Sequence, residues 1–271
     1  MKRFGKVVAV AAACAALTCS VAAFTACGGN TDSITITGSS SVTPLMEALA
    51  AAYEEDHDVR ITISQSSSGA GITDTQGGNN DFGMSSRALT DEELSSGVTG
   101  ETLCQDGIAL IVGSGSSATN ITTDEVKALY SNGTAACDGV ITAAVGRDSG
   151  SGTRDFFDEH FELSTYASSV DSQAETGNVI QTIIGTTNTI GYISYGSLAG
   201  NNGIKAVSLD GVECTVENIL AGDYALVRPF VIVLPEGGVS GMSQAAQDFY
   251  NYIMSDDAQE VISSEGYISI K

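Results

Sequence analysis

The chain has 271 residues and is strongly acidic, with 33 Asp and Glu against 11 Lys and Arg and a formal charge of −22. That length supports two modest domains with an ample core, and the charge argues against nucleic acid partners and against polybasic docking on anionic lipid. It does not exclude an anionic ligand, because exposed charges more than about 8–10 Å away are largely screened at physiological salt.

In chain order, Lys2, Arg3 and Lys6 form a basic start, and Val7 to Ala23 is a small-residue apolar stretch. Phe24-Thr25-Ala26-Cys27-Gly28-Gly29 follows, with small residues just before a cysteine. This reads as an export signal over 1–26 that resembles the lipobox of bacterial lipoproteins, with Cys27 carrying the lipid. An ordinary signal peptide or a single transmembrane anchor is the alternative. No later apolar run approaches the ~20 residues needed to cross a bilayer. Beyond Cys14, Cys19 and Cys27, the cysteines are Cys104, Cys137 and Cys214. That odd number allows at most one bridge, and a Cys137–Cys214 pair is one arrangement the sequence leaves open. There is no C-x-x-C and no His/Cys ligand spacing, so neither a metal nor a cofactor is expected.

From there short β-rich runs alternate with helical ones. Ser33–Thr37 reads as a strand leading through Gly38-Ser39-Ser40-Ser41 into a helix with apolar positions Val42, Leu45, Met46, Leu49, Ala52 and Tyr53. That spacing is helical, and Pro44 is tolerable in a first turn. Val59–Ile63 is the next strand, followed by Gln65–Gly71 and a short helix; Asp81–Ser85 is a third, with Thr90 and Asp91 opening another helix. Gly107–Val112 is a fully apolar strand running into Gly113–Ser117. After it come a helix over Thr123–Tyr130, a strand over Gly139–Val145, and the loop Gly146-Arg147-Asp148-Ser149-Gly150-Ser151-Gly152-Thr153-Arg154 with its helix. Thr189–Ser194, Ile204–Leu209 and Val227–Leu234 read as strands, and Met242–Ser263 as two helices broken near Ser255–Asp257. Repeated β-loop-α units predict a largely parallel sheet covered by helices.

Three Ser/Gly-rich loops therefore lie between a strand's end and a helix's start, the edge where open α/β sheets bind ligands. Any one of them could be mere turn and N-cap chemistry. The loop 146–154 adds a guanidinium, hydroxyls, and glycines that let backbone N–H groups converge at a helix N-terminus. Those are the parts of a site for a small tetrahedral oxyanion. It is not a P-loop, since the G-x-x-x-x-G-K-[ST] spacing and its Lys are absent. His57 and His160 have acidic neighbours and read as solvated surface, and no G-x-S-x-G elbow appears. The chain reads as a binder rather than an enzyme.

Thr37–Leu45, Gln65–Gly71, Asp81–Arg87, Asp106–Ala109, Gly150–Arg154, Ile190–Ser194, Arg228–Phe230 and Glu265–Tyr267 resemble, in the same order, the phosphate-binding proteins that feed ABC transporters. The resemblance implies an α/β, two-lobed periplasmic-binding-protein fold of type II. Each lobe is a mostly parallel sheet flanked by helices, and crossing hinge strands join them. Residues 27–112 plus 228–271 would form one lobe and 113–227 the other. It further implies that Ser39, Ser40 and Ser41 give backbone N–H groups and hydroxyls to the anion, and that Ser68 joins them. Arg147 is implied as the charged donor, with Ser151, Gly152 and Thr153 as the nest. Many members of the family have Asp where this chain has Ser86, to accept the proton of hydrogen phosphate. Ser86 can accept as well as donate, and Asp81 is a second candidate acceptor. Arg87 is read as a structural ion-pair partner. The expected partners are inorganic phosphate, a membrane permease, and the membrane through a lipid anchor facing the extracellular side or periplasm; the expected state is a monomer. Sulfate, molybdate or tungstate are the alternative ligands, and a secreted phosphatase or hydrolase is the enzymatic alternative.

Overall fold

The computed structural model describes residues 32–271; the expected signal over 1–26 and the lipid-bearing Cys27 lie outside the described residues. The chain opens with β1 (Asp32–Ser39), α1 (Thr43–Glu54), β2 (Val59–Ser66), α2 (Ser68–Gln76), β3 (Phe82–Ser85) and α3 (Asp91–Ser95). Strand β1 pairs in parallel with both β2 and β3. Gly38 permits this close assembly: its φ is +139°, and a Cβ there would overlap the Met84 backbone. Pro44 sits in the first turn of α1, where no N–H is required of it. Ser67 caps α2 and Thr90 caps α3 with a reciprocal capping box to Glu93.

Strand β4 (Thr99–Gly113) then runs between the two halves of the molecule, followed by β5 (Asn120–Ile121), α4 (Thr123–Asn132), β6 (Ala143–Arg147), α5 (Gly152–His160), β7 (Val170–Gln173) and α6 (Thr176–Ile183). The chain continues with β8 (Thr189–Ser194), β9 (Ile204–Leu209), α7 (Val216–Ala221), β10 (Val227–Leu234), α8 (Gln244–Ile253) and α9 (Asp256–Ser264). The strand order is β2-β1-β3-β10-β4-β8-β6-β7, with β9 paired to β4 and β5.

Two large apolar clusters, with a small one of Ile72, Val98 and Val233, form the core of the described residues. One gathers Ile34, Ile36, Leu45, Leu49, Phe82, Leu103, Phe230 and Phe249. The other gathers Ile108–Val112, Val126, Phe157, Phe161, Val179, Tyr192 and Leu226. Strand β4 feeds both: its first part pairs with β10, and from Ile108 onward it pairs with β8 and β9.

The parallel expectation holds for β1, β2 and β3 and for β6 with β7 and β8. It fails at the crossing strands, because β10 is antiparallel to β3 and β4, and β4 is antiparallel to β8 and β9. A chain that passes into a second half and returns must run both ways. Strand β4 also starts earlier than its apolar stretch suggests, because the polar residues of Thr99–Asp106 mask a paired edge. The strand expected over 139–145 begins only at Ala143, since Cys137, Asp138 and Gly139 all take positive φ and form a tight turn. Cys104, Cys137 and Cys214 are free thiols, so the Cys137–Cys214 pairing is not formed.

Candidate functional site

The N-termini of α1, α2, α5 and α6 meet where the two halves face each other, each presenting a hydroxyl on or just before its first turn. Ser41 Oγ lies 2.9 Å from Thr153 Oγ1 and 3.2 Å from Thr176 Oγ1. Ser40 Oγ is 3.3 Å from Thr176 Oγ1 and accepts the Thr176 N–H at 3.2 Å. Ser68 Oγ is 3.2 Å from Ser86 Oγ and accepts the Ser86 N–H at 3.0 Å. All of these residues are buried. Helix N-termini carry partial positive charge and unpaired N–H groups, so their convergence favours an anion.

Arg147 supplies the formal charge. It ends β6 and is only 2% exposed. Its Nε donates to the Gln173 carbonyl at 3.1 Å, and Nη2 donates to the Ala174 carbonyl at 2.8 Å and to Ser40 Oγ at 3.1 Å. Nη1 donates to Thr176 Oγ1 at 3.4 Å. Among the described residues no carboxylate forms an ion pair with it, in contrast to Arg87, Arg154 and Arg228. Burial lowers its pKa to about 10, an expression of what an uncompensated buried cation costs.

Gly152 and Ser151 shape the rest. Ser151 Oγ accepts from the Arg154 N–H and so caps α5. A Cβ at Gly152 would overlap Ser68 Oγ and lie 3.0 Å from Ser86 Oγ, so glycine is what lets α5 approach the facing half. Additional bonds tie the rim: the Gly69 N–H donates to the Gly150 carbonyl at 3.1 Å, and Gln65 Nε2 to Glu175 Oε2 at 2.5 Å. Beside them lies a recess of about 210 Å³ lined by residues of both halves, among them Ser66, Ser67, Asp148, Ser151 and Glu175.

Of the residues singled out from sequence, Ser40, Ser41, Ser68, Ser86, Arg147, Gly152 and Thr153 are brought together. Two play more local parts. Ser39 Oγ is turned onto the Ser41 N–H at 3.3 Å, and the Ser151 hydroxyl is spent on its own helix. The Ser40 N–H is committed to the Ser66 carbonyl at 3.1 Å, so Ser40 offers the cleft its hydroxyl and not its backbone. Asp81 accepts from the Thr35 N–H at 2.7 Å, within the sheet and away from the site. Tyr192 is packing: it stacks on Phe157 and shares a 2.8 Å hydrogen bond with Tyr166. Arg87 is engaged by Glu93 and Asp155, as its reading as an ion-pair partner expects. His160 is partly buried beside Phe156, and this lowers its pKa; it is less solvated than expected.

Two further residues belong to the site: Thr176, which no motif singles out, and Arg228, which lies in a resembling motif but carries no expected site role. Thr176 opens α6 and follows β7 in the same strand-loop-helix grammar as the other loops, with Val179, Ile180 and Ile183 marking its apolar face. Arg228 lies on β10 and reaches Thr153 Oγ1 at 2.7 Å; its apolar neighbours hid it as a strand residue. No group of His, Cys, Asp and Glu suited to a metal exists among the described residues, and none of the described helices is long and apolar enough to cross a membrane.

Residues 25–257 match the family model of the PBP superfamily domain. The phosphate-binding protein PstS 2 of Streptococcus agalactiae is 36% identical over 136 residues, a match covering 46% of this chain and 45% of that protein. The chain thus spans about half the length of those streptococcal relatives. The Bacillus subtilis phosphate-binding protein PstS is 27% identical over 258 residues, covering 88% of this chain and 81% of that one. Among solved structures, one from Clostridium perfringens, described as a putative phosphate ABC transporter substrate-binding protein with bound phosphate, superposes with a TM-score of 0.81 at 33% identity. That match covers 89% of this chain and all of the other. An ABC-type phosphate transport receptor from Vibrio cholerae gives 0.69 at 29% identity, covering 87% and 99%.

Proposed function

We propose that this chain, which belongs to the PBP superfamily, captures inorganic phosphate between its two halves and delivers it to the permease of an ABC transporter. The observation that carries the reading is Arg147, a buried guanidinium with no carboxylate partner among the described residues, ringed by hydroxyls drawn from both halves. A tetrahedral oxyanion supplies the missing charge and accepts from hydroxyls and helix N-termini on both sides at once. Neither half-site is complete alone, so the ligand favours the closed arrangement. The passage between the lobes is carried by β4 and β10, and the boundary in β4 falls near Gly107 rather than after Val112, because Ile108–Val112 pack in the second core and pair with β8 and β9. The molecule acts as a monomeric binder without turnover, anchored by a lipid on Cys27 at the outer face of the membrane.

A second reading, another tetrahedral oxyanion such as sulfate or molybdate, is favoured by one feature. The acceptors lining the site are hydroxyls, and the nearest buried carboxylate, Asp106, is already engaged by Arg228 and Ser194. Thermal unfolding with phosphate, sulfate and molybdate separates the two. A ligand at ~100 times its Kd adds about 2.7 kcal/mol of stability, and the phosphate reading expects that shift from phosphate. A response to sulfate with none to phosphate would overturn it.

A further inference from the structure

Asp106 and Arg228 stand directly opposite each other in the antiparallel register of β4 and β10, at the passage between the two cores. Both are buried. Arg228 Nε and Nη2 donate to Asp106 Oδ2 at 3.1 and 3.0 Å, and Asp106 Oδ1 accepts the Ser194 hydroxyl at 2.7 Å. Unlike Arg147, this guanidinium has its charge answered within the protein.

The remaining nitrogen, Nη1, reaches one group from each half: Thr153 Oγ1 at 2.7 Å and the Ser86 carbonyl at 3.2 Å. A hydroxyl oxygen that accepts from a guanidinium must direct its own proton elsewhere. The other neighbours of Thr153 Oγ1 are Ser41 Oγ at 2.9 Å and Ser86 Oγ at 3.5 Å, both on the opposite side of the cleft. The Thr153 proton is therefore aimed across the cleft, where an oxyanion accepts it.

We infer that Arg228 is a positioning residue for anion capture: held by Asp106 on the facing strand, it fixes the Thr153 hydroxyl as a donor and couples that orientation to the meeting of the two halves. The inference rests on the phosphate reading above.

The test is a double-mutant cycle on phosphate affinity, measured by calorimetry on the full-length chain. Arg228→Lys keeps a cation beside Asp106 but loses the fork that also spans to Thr153. Thr153→Val and Arg228→Lys are each expected to weaken binding about tenfold or more, the scale of a hydrogen bond involving a charged group. Combined, they should be little worse than either alone, because they remove one device. Thr153→Ser, which keeps the hydroxyl, should bind within a few-fold of wild type. The paired change Asp106→Asn with Arg228→Gln, which removes both charges together, should reproduce the Arg228→Lys result and serves if the lysine variant does not fold. Penalties that multiply, or an Arg228 variant that binds like wild type, would overturn the inference while leaving the phosphate reading intact. Wild-type protein that ignores phosphate would overturn both.

Discussion

Arg87 Nε donates to Asp155 Oδ2 at 2.8 Å, joining residues 68 positions apart that sit just outside the site on its two sides. Arg87 follows Ser86 directly, and Asp155 lies on α5 two residues beyond Thr153. The two Nη atoms fork onto Glu93 at 2.8 Å each, so the guanidinium is fixed by its own half before it meets the other. The meeting of the halves thus includes an ion pair outside the ring of buried hydroxyls.

Asp155→Asn breaks that link and leaves the Arg87–Glu93 fork in place. The pair is partly exposed, with side-chain exposures of 14% and 41%, and such pairs contribute roughly 0.2–1 kcal/mol. Phosphate affinity is expected to fall by a few-fold at low salt, and the difference should shrink as salt rises. Calorimetry across ionic strength checks this; identical affinities at low salt would show that the link does not assist closure.

Glu93 offers a pH handle. Hydrogen bonding from Arg87, opposed by burial and aided by the Thr90 cap, holds its carboxyl below the ordinary 4.5. A depressed native pKa stabilises the fold above the unfolded value, and that contribution is lost as pH falls through the native one. Arg87→Met should therefore cost stability at neutral pH and narrow its gap to wild type in acid. Thermal melts at neutral and acid pH measure it, and a gap that does not change with pH would count against the assignment.

Arg147→Ala should abolish tight phosphate binding, with affinity down about a hundredfold or more, because the anion loses its one uncompensated charge. Arg147→Lys should recover only part of it. One ammonium cannot serve the Gln173 and Ala174 carbonyls together with Ser40 and Thr176. Equilibrium binding of all three proteins decides the matter, and near-normal affinity in the alanine variant would remove Arg147 from the site.

Gly152→Ala tests closeness rather than charge. The added methyl meets Ser68 Oγ and Cβ and Ser86 Oγ on the facing half, so the two halves must part to admit it. Ligand-free melting should change little, whereas phosphate binding should drop by about tenfold or more through the lost closure. Retained binding with a lowered melting temperature would point instead to damage within one half.

Much of the fold is written in local spacing. Thr189–Ser194, Ile204–Leu209 and Val227–Leu234 match their strands residue for residue, because buried strands read as apolar runs and half-buried ones, such as Ile204–Leu209, as β-rich runs with their larger apolar positions turned inward. The break at Ser255 is a helix cap visible as such. The 170–183 region was opaque: β7 is short and half-exposed, and α6 has eight residues. With it went Thr176, a hydroxyl as central to the cleft as any of the serines.

Ser/Gly-rich loops that cap helices at strand ends, with Arg147 in one of them, are readable from the residues alone. Both follow from residue chemistry over a few positions. Which hydroxyls meet depends on long-range packing. Ser41 and Thr153 are 112 positions apart and touch because β4 and β10 cross between two cores. The same crossing pairs Arg228 with Asp106, and among the described residues it brings no carboxylate into an ion pair with Arg147. Whether a buried charge is answered inside the protein or left for a ligand depends on what the fold places beside it.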